Sequence, residues 1–198
     1  ITSSVRSNPA YGFSVVTYTG NYNGSSGTGT LGHGLNTTPS LIIIKNRDSA
    51  YNWAVGHSSV GWTQAGSLNL TNAFGTSSYF NSTAPTASVF SVGQSNISNQ
   101  NLSSHVAYCF SEIAGYSKFG SYTGTGASGN AVTTGFKPAF LMVKRTDVAN
   151  DWVMVDNTRN ATNPINAGLY ADLSNAENIT TRFEFTDTGF ICKSTLNE

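Results

Sequence analysis

The chain has 198 residues, of which 10% are charged, and ten basic residues balance ten acidic ones to give zero net charge. Aromatic residues make up 12% of the sequence, which excludes intrinsic disorder, because disordered chains combine few aromatics with high net charge. Zero net charge argues against nucleic acid and anionic membranes as partners, since both are bound mainly through clustered Lys and Arg. No apolar stretch approaches the roughly 20 residues that cross a bilayer, so membrane insertion is not predicted.

Strand-forming segments dominate the chain from beginning to end. Phe13–Thr19 and the run 40–45 are rich in β-branched and aromatic residues and are bounded by Gly, Asn or Pro. Further runs of this type lie at 52–57, 88–92, 105–110, 139–144, 152–155 and 182–185. Turns fall every ~8–12 residues between them, which predicts an all-β, antiparallel β-sandwich of the jelly-roll or lectin-like kind. No window shows a helical stripe, and residues 161–175, with Pro164 and Gly168, are predicted to form a loop.

The sequence contains an internal repeat of about 100 residues. Four pairs of identical residues are each separated by 99 positions: Pro39 and Pro138, Lys45 and Lys144, Asp48 and Asp147, Trp53 and Trp152. Solenoid units have shorter periods, roughly 20–50 residues, so this repeat predicts a duplicated small sheet or sandwich. We therefore assign residues 1–114 to a first β-repeat and residues 115–198 to a second one.

The second repeat lacks the strand that closes the first. Residues 105–112 are predicted to be that closing strand, and no equivalent run follows in the second repeat. An unpaired strand exposes main-chain donors and acceptors, which soluble proteins cover. We expect the edge near residues 189–198 to be paired, either by later residues of a longer chain or by a neighbouring subunit.

The sequence predicts no catalytic residue, no metal and no other cofactor. Its histidines, His33, His57 and His105, all lie in the first repeat and lack metal-ligand spacing. The glycine-rich segments 21–29 and 125–130 are not followed by Lys-Ser/Thr, so they are predicted to be hairpin tips and not phosphate-binding loops.

Three acidic residues around Trp152 provide the main enzymatic alternative. Asp147, Asp151 and Asp156 could supply an acid and a base for a polysaccharide depolymerase. Asp48 and Asp147, however, recur in the same turn between two apolar strands, which turn formation explains better than catalysis. The repeat therefore favours a protein that is not an enzyme.

The three tryptophans are the candidate binding residues. Trp53 and Trp152 could stack on sugar rings, yet a Trp that alternates with Val on a sandwich strand is usually a core residue. Trp62 has no counterpart in the second repeat and is set among Gly and Gln, so it is predicted to be the exposed aromatic residue.

The predicted interior follows the strongest strand patterns. It consists of Tyr18, Ile42, Ile44, Trp53, Tyr122, Leu141, Val143 and Trp152. The two cysteines, Cys109 and Cys192, lie in apolar contexts and are predicted to be buried, reduced thiols rather than a disulfide.

Several segments resemble a known repeat family. They are Val-Val-Thr-Tyr-Thr-Gly at 15–20, Gly-His-Gly-Leu at 32–35, Pro-Ser-Leu-Ile-Ile-Ile-Lys-Asn-Arg at 39–47 with Asn-Trp at 52–53, and the aromatic-rich run 108–124. Together they resemble an uncharacterised β-rich repeat domain of tail-fibre-like and other virion proteins of tailed bacteriophages, especially marine ones. The family repeat finishes with an aromatic-rich strand, which residues 108–112 match and the second repeat lacks.

The resemblance implies a virion structural protein on the outer surface of the particle. Such a protein would be a module of a tail fibre, a spike or a capsid-surface appendage that serves host-surface glycan attachment or assembly. Its expected partners are other virion subunits, including further copies of itself, and host glycans. The alternatives are a polysaccharide depolymerase, which paired carboxylates facing a groove would favour, and a cellular lectin-like adhesin.

Overall fold

The structure, a computed structural model, describes residues 1–193 and is almost entirely β. All ladders between its strands are antiparallel, so the predicted all-β fold is confirmed. Helical residues in this part of the chain form a 3-10 turn at Pro9–Tyr11 and a short helix, α1, at Asn96–Asn99. No helix within residues 1–193 is long and apolar enough to cross a membrane.

The chain divides into two compact units. Unit 1 comprises residues 1–68 and 74–120, and unit 2 comprises residues 69–73 and those from 121 onward. Unit 1 contains β1 (Ser3–Asn8), β2 (Phe13–Thr19), β3 (Gly29–Gly32), β4 (Leu41–Asn46), β5 (Ala54–His57), β6 (Gln64–Ser67), β7 (Gly75–Thr76), β8 (Val89–Val92) and β9 (Ser104–Phe110). Seven of these strands form a sheet of order β1-β2-β9-β4-β5-β6-β7, and β3 pairs with β8 in a two-stranded ribbon.

The core of unit 1 lies between the sheet and the ribbon. Successive side chains of a strand point to opposite faces, so Val16 and Tyr18 of β2 are buried while Phe13 and Thr19 are exposed. The core cluster joins Val16, Tyr18, Ile42, Ile44, Ala107 and Cys109 of the sheet with Leu31, Phe90 and Val92 of the ribbon.

Unit 2 contains a six-stranded sheet. Its strands are β10 (Asn130–Thr133), β11 (Phe140–Lys144), β12 (Trp152–Asp156), β13 (Ile165–Tyr170), β14 (Asn178–Thr186) and β15 (Gly189–Cys192), in the order β10-β15-β14-β13-β12-β11. The pairing of β13 with β14 shifts register between Ile165 and Ala167, an irregularity of the kind that bends a strand. The core of the unit consists of Val143, Val153, Val155, Ile165, Phe183, Phe185 and Phe190.

The pairing of the strands reproduces the internal repeat. In the hairpin β4–β5, Ile42 lies opposite Gly56, and in β11–β12 their counterparts 99 positions later, Leu141 and Val155, lie opposite each other. The pair β3–β8 recurs in the same way as β10–β15. The two repeats therefore share strand register as well as sequence.

Most of the predicted interior is confirmed. The residues buried as expected are Tyr18, Ile42, Ile44, Val143 and Trp152. Tyr122 and Leu141 are half-buried and pack against the core of unit 2, and Trp53 is also half-buried.

The prediction of a loop at residues 161–175 is wrong, because the segment contains β13. Its sequence includes Gly168, and a glycine inside a strand usually weakens it. In the structure a Cβ on Gly168 would come within 2.9 Å of the Arg182 side chain on the neighbouring strand. The glycine therefore leaves room for the Arg182 side chain of the neighbouring strand, and close approach of another group is a recognised role of glycine inside a sheet.

The unpaired edge of the second repeat is not at residues 189–192. These residues form β15, which pairs with β14 on one side and β10 on the other. Residues 194–198, the rest of the expected edge, lie outside the described residues. The strand that lacks its counterpart neighbour is β11, because it corresponds to β4 and the described part of unit 2 has no equivalent of β9.

Replacing Trp152 with alanine should lower the free energy of unfolding by ~3–5 kcal/mol, because its removal leaves a cavity. Trp152 is only 4% exposed. Urea unfolding measures the change. The control is Phe140→Ala in the neighbouring strand, where the side chain is 57% exposed and a change below ~0.5 kcal/mol is expected. A similarly small change for Trp152→Ala would contradict its core position.

Candidate functional site

A groove lined by aromatic side chains crosses one face of unit 1, and we call it the aromatic groove. Its volume is about 410 Å³, and its six rings belong to Tyr11, Phe13, Tyr108, Phe110, Tyr116 and Phe119. Two of these side chains are widely accessible, since Tyr11 is 57% and Tyr116 is 58% exposed. Asn8, Gly12, Ser111 and Ser117 complete the lining.

Strand register places the aromatic rings together. Phe13 of β2 lies opposite Phe110 of β9, with ring centroids 4.9 Å apart, and Phe119 lies 5.9 Å beyond Phe110. Alternation along β9 puts Tyr108 and Phe110 on the same face, whereas Cys109 between them is fully buried. The sequence Tyr-Cys-Phe thus supplies two rings to the groove and one small residue to the core.

The loop after β9 forms the opposite wall. The main chains of Ile113 and Ser117 exchange two hydrogen bonds, of 3.2 and 2.9 Å. This tight turn holds Tyr116 edge-on against Tyr11, with centroids 5.4 Å apart, an arrangement that aromatic pairs favour. Because hydrogen bonds and ring contacts within the chain hold both walls, the groove is pre-formed, as small-molecule sites commonly are.

Gly12 joins the two walls. It has a φ of 63°, and its carbonyl accepts the Ser111 N–H at 2.8 Å. A Cβ at this position would come within 2.4 Å of the Ser111 carbonyl oxygen. Glycine is therefore required both for the left-handed backbone and for the close approach.

The lining of the groove carries no charged side chain. Glu112, next to the lining in sequence, forms a 2.8 Å salt bridge with Lys118 and accepts the Phe119 N–H at 3.2 Å. The groove therefore presents aromatic rings and neutral amide and hydroxyl groups. These features suit an uncharged ligand that has apolar faces and hydroxyl groups.

None of the three tryptophans predicted to bind ligands lines the groove. The prediction that Trp62 is exposed is wrong: it is 9% exposed and packs edge-on against Phe80, with centroids 5.3 Å apart. A Cβ on Gly56 would lie 2.5 Å from the Trp62 ring, so the missing side chain provides the space that the ring occupies. Trp152 is buried in unit 2, and Trp53 is half-buried in unit 1.

Two of the acidic residues near Trp152 form ion pairs. Asp147 binds Arg145 at 2.8 Å and Asp156 binds Arg159 at 2.7 Å. The hydrogen bond from the Arg145 side chain lowers the pKa of Asp147, and the hydrogen bond from the Arg159 main chain, with that of its side chain, lowers the pKa of Asp156. A general acid at neutral pH needs a raised pKa, which neither carboxyl group has.

The histidines are packed as single residues within unit 1. His33 is fully buried, with its Nε2 3.1 Å from the Thr86 carbonyl oxygen, and His105 stacks on Tyr18 with centroids 5.0 Å apart. Burial lowers the pKa of His33, His57 and His105, which favours their neutral forms. Among residues 1–193 no group of three or more His, Cys, Asp or Glu side chains could hold a metal ion.

The sequence carried a partial signal for the groove. Tyr108 and Phe110 alternate with a small residue on a predicted strand, and Tyr116 and Phe119 follow closely. The contact that completes the groove, Phe13 against Phe110, joins residues about 100 positions apart and depends on the pairing of β2 with β9. Spacing along the chain does not reveal such a contact.

Comparison with known proteins identifies a family but no activity. The chain matches, over residues 1–198, the family described as "Domain of unknown function (DUF7483)". No curated protein matches the chain, and no solved structure matches it. Function must therefore be inferred from the chemistry of the groove.

Substituting Gly12 with alanine should destabilise the chain more than the same substitution at Gly24. Gly24 also has a positive φ, 96°, but no atom lies within 4 Å of a Cβ built on it. Gly24→Ala should therefore incur only the backbone penalty of about 1–2 kcal/mol, whereas Gly12→Ala adds the clash with Ser111. Thermal unfolding compares the two variants, and equal losses would contradict the proposed constraint at Gly12.

Cys109 should resist alkylation in the folded chain, while Cys192 should react. Burial raises the pKa of the Cys109 thiol to about 12, so at pH 8 only about one molecule in 10⁴ carries the reactive thiolate. Burial also raises the pKa of the Cys192 thiol, but Cys192 is only half-buried, so the reagent can reach it. Iodoacetamide labelling with peptide mass spectrometry measures both rates, and urea-unfolded chain, in which both should react, is the control. Equal rates in the folded chain would contradict the burial of Cys109.

Proposed function

Because the chain belongs to the DUF7483 family, whose description assigns no activity, we propose a function from the chemistry of its surface. The chain is a non-catalytic binding module that holds neutral glycans in the aromatic groove. The observation that carries this proposal is the exposure of Tyr11 and Tyr116 in a groove without charged side chains.

Sugar rings suit this groove because one face of a pyranose exposes mostly C–H groups. These groups pack against aromatic rings, and the apolar surface that leaves water contributes about 25 cal/mol per Å². A tyrosine also has a hydroxyl group that can bind a sugar hydroxyl while its ring makes the apolar contact. Tyr11 and Tyr116, with centroids 5.4 Å apart, offer two adjoining rings to successive sugar units.

Neutral glycans fit the groove better than acidic ones. The lining is uncharged, and the nearby Lys118 ammonium group is already paired with Glu112. A carboxylated or sulfated sugar would therefore lose hydration without gaining a counter-charge. Asn8 provides a neutral amide group at the groove wall. The Ser117 hydroxyl is used within the loop, where it accepts the Ile113 N–H and donates to the Ser111 carbonyl.

The proposed glycan-binding module would belong to the surface of a bacteriophage particle. Support comes from the resemblance of residues 15–20, 32–35 and 39–53 to a repeat domain of virion proteins, and from a sequence in which only 10% of residues are charged. The chain would be a module of a tail fibre, a spike or a capsid-surface appendage, exposed on the particle and assembled with further copies and other virion subunits. Glycan binding would then attach the particle to its host.

Tyr11→Ala and Tyr116→Ala should each weaken glycan binding at least about fivefold, because truncating a central aromatic contact removes more than 1 kcal/mol. An array of neutral and acidic oligosaccharides identifies a ligand, and isothermal titration calorimetry compares the variants. Phe140→Ala is the matched control: its side chain is 57% exposed, like that of Tyr11, but lies in unit 2, so affinity should not change.

Four outcomes would contradict the proposal. Failure to bind any neutral glycan, or binding that survives both tyrosine substitutions, would remove the groove as the site. Binding of acidic glycans alone would contradict the argument from charge. Release of reducing ends from a bound polysaccharide by the wild-type chain would show that it is a depolymerase.

A further inference from the structure

Unit 2 contains one of the two strands that flank β9 in unit 1, and its described residues include no counterpart of β9 itself. In unit 1, β9 lies between β2 and β4 and pairs with both. In unit 2, β11 is the counterpart of β4 and pairs, among the described residues, with β12 alone. Residues 122–124 repeat the Tyr-Thr-Gly of residues 18–20 at the end of β2 but form no strand. A strand equivalent to β9 is absent from residues 121–193.

In unit 1 the alternation of hydrogen bonds defines which residues of β4 direct their main-chain N–H and C=O groups towards β9. The Arg47 N–H donates to the Ser104 carbonyl at 2.8 Å. Antiparallel strands bond through every second residue, so the residues of β4 that bond to β9 are Leu41, Ile43 and Lys45.

The counterpart residues in β11 leave their main-chain groups unused by β12. At the start of the hairpin the Asn157 N–H donates to the Ala139 carbonyl at 3.0 Å. The same alternation then directs the N–H and C=O groups of Phe140, Met142 and Lys144 away from β12. Such a row of donors and acceptors is a template for another strand.

Side chains on β11 are more exposed than their counterparts on β4, as expected for a strand that lacks a neighbour on one side. Leu41 and Ile42 in β4 are 6% and 0% exposed. Their counterparts in β11 are much more accessible, since Phe140 is 57% exposed and Leu141 is half-buried. The apolar surface of β11 therefore retains area that a neighbour would bury.

Asp147 lies where the missing strand would begin. Its counterpart in unit 1, Asp48, accepts the N–H of Ser104, the first residue of β9, at 2.6 Å. Asp147 retains the carboxylate and pairs with Arg145, but its side chain is 69% exposed. The aspartate that binds the first residue of β9 in unit 1 thus has an accessible counterpart in unit 2.

We propose that the edge of β11 accepts one strand of a partner polypeptide, antiparallel to β11 and in the register that β9 takes against β4. This mode of recognition uses main-chain hydrogen bonds for affinity and alternate side chains for specificity. The partner strand carries small apolar residues on its core-facing side, as β9 does with Ala107 and Cys109. A second copy of the chain does not supply its own β9, because that strand is already held between β2 and β4.

A synthetic peptide tests the proposal on the whole 198-residue chain. The peptide has the sequence of residues 103–112, is kept reduced and carries a fluorophore at its C-terminus. Fluorescence anisotropy should show binding. In amide hydrogen exchange by NMR, the peptide should slow exchange of the outward Met142 N–H at least about tenfold. The N–H of Leu141 already faces β12 and should change little.

Variants of Met142 distinguish the contribution of its main-chain N–H to peptide binding from the contribution of its side chain. Met142→Pro removes one outward N–H and no hydrogen bond to β12, and edge strands tolerate proline. It should weaken peptide binding at least about tenfold, whereas the matched control Met142→Ala keeps the N–H and should change affinity less than about threefold. A peptide with proline in place of Tyr108, the residue set opposite Met142, should not bind the wild-type chain even if Met142→Pro fails to fold.

Four results would overturn the proposal. Two of them are a failure of the peptide to bind and equal binding of the proline peptide. The third is slow hydrogen exchange at Met142 in the chain alone, which would show that the chain's own residues cover the edge. The fourth is a dimer that Met142→Pro dissociates, which would assign the edge to a second copy. Glycan binding at the groove of unit 1 is measured separately and does not depend on these results.

Discussion

The antiparallel pairing of β9 with β2 and β4 is the interaction on which the rest of unit 1 depends. Ala107 and Cys109 on one face of β9 are fully buried in the core, while Tyr108 and Phe110 on the other face line the groove. The same strand therefore holds the core together and positions the candidate binding rings. Because protein interiors are tightly packed, a change of volume at Cys109 would be transmitted to the rings on either side of it.

The fold was predictable where its signal is local. Runs of β-branched residues such as 40–45 became strands, and the 99-residue repeat anticipated the equal register of β4–β5 and β11–β12. Prediction from the sequence was wrong where tertiary contacts override the local preference of residues for strand or loop. Residues 165–170 form β13 although they include Gly168, whose missing side chain leaves room for Arg182 of the neighbouring strand. The open edge lies at β11 because the order of strands in a sheet differs from their order in the chain.

The candidate site was less predictable than the fold. Residue identity drew attention to the tryptophans, yet Trp62 fills a space that Gly56 leaves in the core. The exposed rings are instead those of Tyr11 and Tyr116, which come together only when the turn Pro9–Tyr11 and the loop after β9 meet around Gly12. Exposure of an aromatic side chain depends on which face of a strand or turn it occupies, and that is decided by partners distant in sequence.

Residues 69–73 give the chain an interleaved organisation. They stand between two parts of unit 1 in the sequence but belong to unit 2, where the Thr71 carbonyl accepts hydrogen bonds from the Lys144 side chain and the Asn150 main chain. No single cut in the polypeptide can therefore release both units intact. During synthesis, Thr71 leaves the ribosome more than 70 residues before Lys144 and Asn150, to which it binds. Unit 2 can therefore be completed only after the sequence of unit 1 has been synthesised.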